Sequence, residues 1–364
     1  MNNVNDEDYM KLAIALAQKG RGYVSPNPMV GAVIVKNGRI ISRGYHQRFG
    51  GNHAEINALK NAAEDVAGST LYVTLEPCCH EGKTPPCVDS IVKHKIARVV
   101  IGTIDSNPLV SCQGINYLQS CGIEVKTDVL ENECRKLNEI FFHYMETGLP
   151  FVTIKYAQTL DGRIATATGE SQWISSEASL KFTHKLRAAH DAILVGAGTV
   201  IKDNPELTVR LVRGRNPLRV IVDSALKIPA KSKVLQNLSQ NKTIIATIKK
   251  ANDPQFKRLI KLGAEIITVD ADKQGKVDLK KLLKMLAKRN ISSVLIEGGA
   301  QIITSILINN LANRMITVIA PKILGKGIEA VGDLKIHNLA LAKKLSIRKI
   351  ARSGDDIILD SRLT

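Results

Sequence analysis

The chain has 364 residues and a formal net charge of +17, from 51 Lys and Arg residues against 34 Asp and Glu residues. At roughly 150 residues per domain, this length predicts two domains. The hydrophobic content of 44% with 23% charged residues excludes a disordered or fibrous chain. No export signal is evident in the opening MNNVNDEDYM, and no apolar run approaches the ~20 residues of a membrane span. We therefore expect a cytoplasmic protein without a membrane partner.

The positive charge has three interpretations: a nucleic-acid surface, a site for phosphorylated small molecules, or a solvated lysine-rich surface. Aromatic residues make up only 4% of the chain, and the basic residues are spread along it. Nucleic-acid binders usually concentrate their charge or interleave it with stacking aromatics. We therefore expect no nucleic-acid partner and a mainly solvated charge.

Helical and strand patterns alternate along the first part of the chain. A helix is predicted from Asp6, as its cap, to Gln18, and a hairpin is predicted around the turn Asn37-Gly38. Helices are then predicted over 53–64, 88–94 and 115–120, with strands over 70–75, 98–102 and 123–126. This order predicts a three-layer α/β domain whose later strands are parallel.

A domain boundary is predicted near residue 148. Apolar residues at spacings of three and four from Leu130 to Tyr144 predict one amphipathic helix, which Gly148 and Pro150 end. A second α/β series follows, with strands predicted over 151–157, 192–196, 219–223, 243–247, 265–269, 294–297 and 315–320. We therefore expect domains at 1–148 and 149–364.

The first domain carries a pattern that favours zinc. His53-Ala54-Glu55 stands at a predicted helix start, and Pro77-Cys78 is followed by Cys87. An H-x-E segment followed by P-C and a second cysteine is typical of zinc deaminases. One imidazole and two thiolates can hold zinc at three corners and leave the fourth for water, as a catalytic site requires.

This interpretation assigns His53, Cys78 and Cys87 as zinc ligands and leaves Glu55 to carry a proton from the attacking water to the departing amine. Cys79, next to Cys78, is interpreted as a bystander. One alternative is a non-catalytic protein that uses zinc as a structural staple. Another is a nucleic-acid base deaminase, but such enzymes show P-C-x-x-C, whereas nine positions separate the two cysteines here.

At Thr74–Cys87 the chain reads TLEPCCHEGKTPPC. This segment resembles the T-L-E-P-C-x-H-x-G-[RK]-T-P-P-C motif of the bifunctional riboflavin biosynthesis deaminase-reductases, and 26–31 and 44–46 are also similar to that family. The resemblance implies a cytidine-deaminase-like fold for the first domain. It also implies substrate contacts on the pyrimidine or its ribose phosphate from Asn27, His46, His80, Lys83, Asp105 and Asn107.

The sequence departs from the family motifs at three positions. Cys79 stands where the family usually has serine. The family's D-P-N-P-x-V-x-G segment appears at 105–112 with Ser106 in place of proline and Cys112 in place of glycine. The two polar residues Asp105 and Asn107 are kept.

The second domain has neither a G-x-G-x-x-G fingerprint nor a P-loop, but it has glycine-rich turns at 196–198 and 298–299. Such strand-to-helix turns let a backbone approach phosphate. Four segments resemble the reductase half of the same family, whose fold is similar to dihydrofolate reductase: KYAQTLDGR at 155–163, GESQWI at 169–174, DNPELTVR at 203–210 and EGG at 297–299.

The resemblance implies two sets of contacts in this second α/β domain. The expected NADPH contacts are Ala157, Trp173, Thr199, Asp203, Ser224, Gly299, Ala300, Gln301, Ile302, Ile303, Thr304 and Ser305. The expected contacts to the phosphorylated substrate are Ser171, Arg187, Leu207, Arg210 and Glu297. The alternative for Trp173 is a core position. Lys155 and Asp203 are the candidates for the proton donor.

Together these features imply a two-step enzyme of riboflavin synthesis that uses Zn²⁺ and NADPH. The first domain is expected to remove an amine by hydrolysis from a diaminopyrimidinone ribosylamine phosphate. The second is expected to reduce the ribosyl group to ribityl. The partners are then phosphorylated pyrimidine small molecules, and a homo-oligomer stays an open alternative.

Overall fold

The computed structural model describes residues 5–79, 85–107 and 111–363. The chain forms two compact units, with the boundary between Gly148 and Leu149. In the part of the chain that the structure describes, none of the helices is long and apolar enough to cross a membrane.

The first unit is built on a five-stranded sheet in the order β2-β1-β3-β4-β5. Its strands are β1 (Gly31–Lys36), β2 (Arg39–Tyr45), β3 (Thr70–Val73), β4 (Arg98–Ile101) and β5 (Glu124–Lys126). Its helices are α1 (Asp6–Ala17), α2 (Ala54–Lys60), α3 (Cys87–Lys93), α4 (Gln113–Ser120), α5 (Glu131–Leu137) and α6 (Glu139–Thr147). β1 is antiparallel to β2 and β3, whereas β3, β4 and β5 are parallel.

Side chains alternate across this sheet, and each face is covered by helices. On one face, sheet residues such as Ile34 and Leu71 pack with α2, α3 and α4. On the other face, Val33 and Val100 pack with α1 and with Cys134 of α5. The predicted three-layer α/β architecture with parallel later strands is therefore confirmed.

A glycine brings α2 close to the sheet. A Cβ on Gly44 in β2 would lie 2.3 Å from the Ala54 carbonyl oxygen and 2.3 Å from the Ala58 nitrogen. Since no side chain fits in that space, only glycine allows this approach. The first turn of α2 is thereby held against β2.

Two predictions for the first unit are wrong. The cap of α1 is Asn5, not Asp6: Asn5 Oδ1 accepts the Asp8 N–H at 3.1 Å, and the Asp8 carboxylate accepts the Asn5 N–H at 3.5 Å. The single helix predicted from Leu130 to Tyr144 is two helices, which break at Asn138. The Asn138 side chain instead accepts the Met29 N–H at 2.8 Å and donates to the Met29 carbonyl at 2.9 Å.

The second unit is built on a nine-stranded sheet in the order β11-β10-β9-β8-β12-β6-β13-β16-β15. Its strands are β6 (Phe151–Thr159), β8 (Ala192–Gly196), β9 (Leu218–Val222), β10 (Thr243–Thr247), β11 (Glu265–Thr268), β12 (Ser293–Glu297), β13 (Arg314–Ala320), β15 (Leu345–Ser353) and β16 (Asp356–Leu363). Its helices are α7 (Glu177–Ala189), α8 (Ala197–Asp203), α9 (Pro254–Lys261), α10 (Leu279–Ala287) and α11 (Ala300–Ile308). Strands β7 (Arg163–Thr166) and β14 (Gly327–Glu329) form a separate two-stranded ribbon.

The sheet is parallel from β11 to β13, and the two last strands of the chain add an antiparallel edge. The seven strands predicted for this unit are all present. Strands β7, β14, β15 and β16 were not predicted. In β15, every residue is exposed or half-buried, so no alternation of buried and exposed positions marks it as a strand.

The Asp6 carboxylate joins four elements of the first unit. Its Oδ1 accepts from Arg98 Nη1 at 2.9 Å and from the Tyr72 hydroxyl at 2.9 Å, and its Oδ2 accepts from Lys126 Nζ at 2.8 Å. The Arg98 guanidinium is the main reason that the pKa of Asp6 lies well below its ordinary value. The charged form of Asp6 therefore stabilises the fold.

We expect Asp6→Asn to lower the free energy of unfolding by about 2 kcal/mol at pH 7, because it removes the carboxylate that binds both Nη atoms of Arg98 and leaves only Glu124 on that guanidinium. A lowered native pKa stabilises above the unfolded pKa of about 3.9, so the difference from wild type should stay constant from pH 7 to 5 and shrink below pH 4. Urea unfolding at several pH values measures it. Glu7→Gln, which breaks the exposed Glu7–Lys11 pair in the same helical turn, should cost less than about 0.5 kcal/mol. Equal effects of the two variants would contradict this account of Asp6.

Candidate functional site

The three predicted zinc ligands meet in the first unit. His53 is the N-cap of α2, Cys87 is the first residue of α3, and Cys78 follows β3. His53 Nδ1 lies 3.2 Å from Cys87 Sγ and 3.5 Å from Cys78 Sγ, and the three ligand atoms lie within 4.8 Å of one another. A tetrahedral zinc ion separates its nitrogen and sulfur ligands by about 3.5 Å. The donor set and its spacing therefore fit zinc.

The thiol of Cys78 is prepared to lose its proton. Its Sγ accepts the backbone N–H of Cys87, at the start of α3, at 3.4 Å. A hydrogen bond with the Cys87 side chain is the main cause that lowers the pKa of Cys78 to about 4, and His53 contributes further. Because zinc binds thiolate rather than thiol, this environment prepares Cys78 for a metal, whereas the same hydrogen bond raises the pKa of Cys87.

Glu55 lies in the first turn of α2 and is only 3% exposed. Its Oε2 has no hydrogen-bond partner among the described residues, and burial raises the pKa of Glu55 to about 7. A buried carboxylate oxygen without a partner is costly. Glu55 therefore has a free carboxylate oxygen near His53, Cys78 and Cys87. A residue that carries a proton to or from a molecule bound there needs such a position.

Cys79 lies outside this cluster. Its thiol points to Gln113 Oε1 at 3.8 Å, and the side chain packs against the core on that face of the sheet.

His46 and Asn27 form a neighbouring polar group. The His46 ring packs edge-on against the His53 ring, with 5.4 Å between the centroids. His46 Nδ1 donates to the Asn52 carbonyl at 2.9 Å, which leaves Nε2 to accept from Asn27 Nδ2 at 3.3 Å. Burial lowers the pKa of His46. The structure thus places Asn27 and a neutral His46 beside the metal cluster.

The buried carboxylate of Glu76 organises the next segment of this region. Its Oε2 accepts the backbone N–H groups of Asp105 at 3.3 Å and Cys112 at 3.1 Å, and its Oε1 accepts those of Gly114 at 3.1 Å and Ile115 at 3.3 Å. Glu76 therefore fixes the position of Asp105 and caps the start of α4. Sequence reasoning missed this role, although Glu76 lies in the TLEPC segment.

Two motif departures fall next to this carboxylate. Cys112, at the position of the motif's glycine, adopts a left-handed conformation with φ 61, which favours glycine. Ser106, at the position of the motif's proline, has a buried hydroxyl without a partner among the described residues. The Asp105 side chain accepts the Asn107 N–H at 2.8 Å, so the local turn is retained. The predicted contacts His80 and Lys83 lie outside the described residues.

The two glycine-rich turns of the second unit lie side by side. β8 leads into α8 and β12 into α11, and these two strands are parallel neighbours. A Cβ on Gly299, which has φ 79, would lie 3.1 Å from Thr199 Oγ1. The N-terminus of α11 thus faces an adjacent turn with little side-chain bulk. Such an edge fits the phosphates and backbone contacts of a dinucleotide.

The other expected NADPH contacts follow neighbouring strands. Thr199 in α8 and Ala157 near the end of β6 follow or lie on the two strands next to β12, so both flank the turn at Gly299, whereas Ser224 follows β9, one strand further away. Asp203 ends α8, and Trp173 is 65% exposed, which rules out a core position. The residues from Gly299 to Ser305 form the cap and first turns of α11.

Two of the expected contacts have side chains in the core. Ile303 is fully buried in the cluster that α11 forms with the sheet, and Leu207 is 2% exposed among the residues beside β8 and β9. Only the backbone of these residues could face a ligand. Ser171 is half-buried.

A charged group lies at the end of β12 and next to it in the middle of β6. The Arg187 guanidinium donates to both Glu297 oxygens at 2.7 and 2.6 Å and to the Thr208 carbonyl at 3.0 Å. Lys155 is paired with Glu297 in the register of the two strands. It is buried, and its Nζ makes no hydrogen bond or ion pair among the described residues. Burial lowers the pKa of Lys155.

Arg210 is more exposed and binds within its own segment. Its Nη1 donates to Thr208 Oγ1 at 2.8 Å and to Glu206 at 3.1 Å. The backbone N–H of Arg210 donates to Nδ1 of His184 at 2.8 Å. Sequence reasoning also missed His184, although its spacing of three from Arg187 places both on one face of α7.

Two protein families match this chain. Residues 3–103 match the cytidine and deoxycytidylate deaminase zinc-binding region, and residues 150–359 match the RibD C-terminal domain. Among curated proteins, the chain is similar to the riboflavin biosynthesis protein RibD of Aquifex aeolicus, with 45% identity over 355 residues that cover 97% of both chains. The RibD of Escherichia coli is 36% identical over 370 residues, which cover 98% of this chain and 99% of its own.

Solved structures agree over the whole chain. A diaminohydroxyphosphoribosylaminopyrimidine deaminase/5-amino-6-(5-phosphoribosylamino)uracil reductase from Thermotoga maritima is 40% identical, with a TM-score of 0.88 and 99% of both chains covered. A structure of Acinetobacter baumannii RibD is 35% identical, with a TM-score of 0.89 and the same coverage.

Cys112 and Cys121 give a matched pair of substitutions, since both are exposed cysteines at the ends of α4. We expect Cys112→Gly to raise the free energy of unfolding by about 1 kcal/mol, because a left-handed residue with a Cβ is strained. Cys121 has φ −85, so Cys121→Gly should lower the same quantity by about 0.5–1 kcal/mol. Urea unfolding of both variants provides the measurement. A loss of stability in both would show that Cys112 is not strained.

Proposed function

Because the chain belongs to the RibD family of bifunctional riboflavin biosynthesis enzymes, we propose that residues 1–148 form its deaminase and residues 149–364 its reductase. The protein is a pyrimidine deaminase and reductase that uses zinc and NADPH. We take its substrates to be those in the name of the Thermotoga maritima enzyme. These are 2,5-diamino-6-(5-phosphoribosylamino)pyrimidin-4-one for deamination and the resulting aminouracil for reduction of ribosyl to ribityl.

The observation that carries the deaminase assignment is the cluster of His53, Cys78 and Cys87 with the unpartnered oxygen of Glu55 beside it. These three residues would hold the zinc ion. When bound, zinc lowers the pKa of a water molecule at the open fourth position. A purely structural zinc site would have a fourth protein ligand and no need for a buried carboxylate next to it.

Glu55 would move the proton in this reaction. Its free oxygen accepts a proton from the attacking water and returns it to the amine as ammonia leaves. Asn27, His46, Asp105 and Asn107 would orient the pyrimidine and its ribose phosphate, as would His80 and Lys83. The positions of Asn27 and His46 beside His53 support that role.

In the reductase, the paired turns at Gly299 and Thr199 would hold NADPH, together with Ala157, Trp173, Asp203 and Ser224. NADPH supplies the hydride to the ribosyl carbon. Arg187 and Glu297 bind each other, so we assign them to the substrate site as a pair, and we assign phosphate binding to Arg210. A guanidinium suits phosphate because its donors form a fixed fork.

We assign the proton of the reduction to Lys155 rather than Asp203. Lys155 is buried in β6, next to Glu297 of β12 and two residues before Ala157, and its amine makes no direct bond among the described residues. Asp203 lies exposed at the end of α8. A buried amine with a lowered pKa can give up a proton near neutral pH more readily than an exposed lysine.

The proposed partners are small pyrimidine molecules. It stays a prediction that the protein has no nucleic-acid or membrane partner and that it is cytoplasmic. A homo-oligomer also stays an open alternative.

We expect Glu55→Gln to lower the rate of ammonia release at least about 100-fold, because the amide cannot carry the proton. Bound zinc, measured by atomic absorption, should remain at one ion per chain. NADPH oxidation with the aminouracil substrate should also remain, since it reports on the other unit. The control is Glu64→Gln, at an exposed position of the first unit, which should keep wild-type ammonia release. If Glu55→Gln releases ammonia at a rate within tenfold of wild type, the proposed role of Glu55 is wrong.

Gly299→Ala should raise the KM for NADPH about tenfold, because its Cβ would enter the space beside Thr199. Gly275→Ala is the matched control, since Gly275 also has a positive φ, of 70, but no atom within 4 Å of a Cβ. Ammonia release and NADPH oxidation are followed separately. An unchanged KM for NADPH in Gly299→Ala would contradict this placement of the cofactor.

A further inference from the structure

Residues 206–211, which include Leu207 and Arg210, are held in place by side chains. They form no helix or strand, and the described residues show no backbone–backbone hydrogen bond to this segment. The side chains that bind its backbone come from α7, from β9 and from the loop before β9: His184, Arg187, Asn216 and Arg219. Since backbone groups in a folded protein need partners, these side chains set the position of the segment.

Two of these side chains lie one turn apart on α7. His184 accepts the N–H of Arg210 at 2.8 Å and that of Leu211 at 3.4 Å. Arg187 donates to the Thr208 carbonyl at 3.0 Å and also binds Glu297. These contacts therefore fix the position of the segment relative to α7 and, through Arg187, relative to the end of β12.

The His184 ring is neutral and has a defined tautomer. Its Nδ1 accepts two N–H groups, so the ring proton resides on Nε2. The ring is 5% exposed, and burial, followed by the positive charges of Arg187 and Arg210, lowers the pKa of His184 to about 4. Glu297 opposes this shift and Lys155 adds to it. The imidazole thus stays an acceptor at neutral pH.

The guanidinium of Arg210 moves with the segment. It binds Thr208 and Glu206, which belong to the same segment, so a displaced backbone displaces the whole charged group. A phosphate held by a guanidinium requires both groups to be placed within a fraction of an ångström.

We propose that His184 is a positioning residue that sets the location of Arg210 and thereby the preference of the reductase for a phosphorylated substrate. This inference rests on the proposed function, in which Arg210 binds the substrate phosphate. His184 itself does not touch the reacting atoms.

Two substitutions separate the roles of the two ring nitrogens. In His184→Asn, the amide oxygen takes the place of Nδ1 and can still accept from Arg210 and Leu211. In His184→Gln, the longer side chain places its amide near the position of Nε2 and leaves those two N–H groups without an acceptor. Both variants remove the ring, so packing losses are similar.

The measurement is the ratio of kcat/KM for the phosphorylated aminouracil substrate to that for its dephosphorylated counterpart. We expect His184→Gln to lower this ratio about tenfold, through the KM of the phosphorylated substrate, with the KM for NADPH unchanged. His184→Asn should keep the ratio within about threefold of wild type. The unchanged KM for NADPH reports that the second unit is folded, and ammonia release reports the same for the first unit. If His184→Gln fails to bind NADPH, His184→Ala replaces it in the comparison.

The variant Arg210→Met separates the proposed phosphate binding by Arg210 from the proposed positioning role of His184. If this variant leaves the ratio unchanged, the assignment of Arg210 to phosphate fails, and the proposed function needs another phosphate ligand. If Arg210→Met lowers the ratio and His184→Gln does not, the positioning role of His184 alone is overturned. Equal losses for both substrates, or equal effects of Asn and Gln, would show a purely structural role. The double variant His184→Gln, Arg210→Met should be no worse than Arg210→Met.

Discussion

The first N–H groups of a helix have no carbonyl within that helix to receive them. In this protein, side chains that belong to the sites receive them or lie against them. Cys78 accepts the N–H of Cys87 at the start of α3, and Glu76 accepts those of Gly114 and Ile115 at the start of α4. Because the N-terminus of a helix carries partial positive charge, each of these contacts favours an anionic acceptor. These contacts help to lower the pKa of Cys78, and at Glu76 they oppose the burial that raises the pKa of the carboxyl group.

In the second unit, the first N–H groups of α11 also lack carbonyl partners, but a glycine rather than an acidic side chain lies beside them. The turn at Gly299 leaves the start of α11 without a bulky neighbour, because Thr199 is the nearest side chain to it. An anionic cofactor can then take the place that Glu76 takes in the first unit. Where no helix begins, as in the segment 206–211, side chains such as His184 and Arg187 bind the backbone instead.

Much of the architecture could be predicted from periodicity, because alternating and continuous apolar runs mark strands such as β3 and β12 directly. The break at Asn138 could not, since its cause is a pair of hydrogen bonds to Met29, 109 positions away in the chain. Strand β15 was missed because it is largely exposed. The three candidate zinc ligands could be predicted because few other sites have these residue types in this order. Glu76 and His184 could not, because they bind backbone groups, and no local sequence pattern shows such contacts.

The two departures near residue 105 are tolerated for the same electrostatic reason. Proline and glycine in the motif would stiffen the segment and relieve strain at its end, and neither is present at Ser106 or Cys112. The Glu76 carboxylate binds the N–H of Asp105 and the N–H of Cys112 with the same oxygen, so both are held to one point. A hydrogen bond to a charged group contributes about 1.5–3 kcal/mol, so two of them can offset the cost of about 1–2 kcal/mol for one left-handed residue. Strain at Cys112 can therefore persist without moving Asp105, which we propose contacts the substrate.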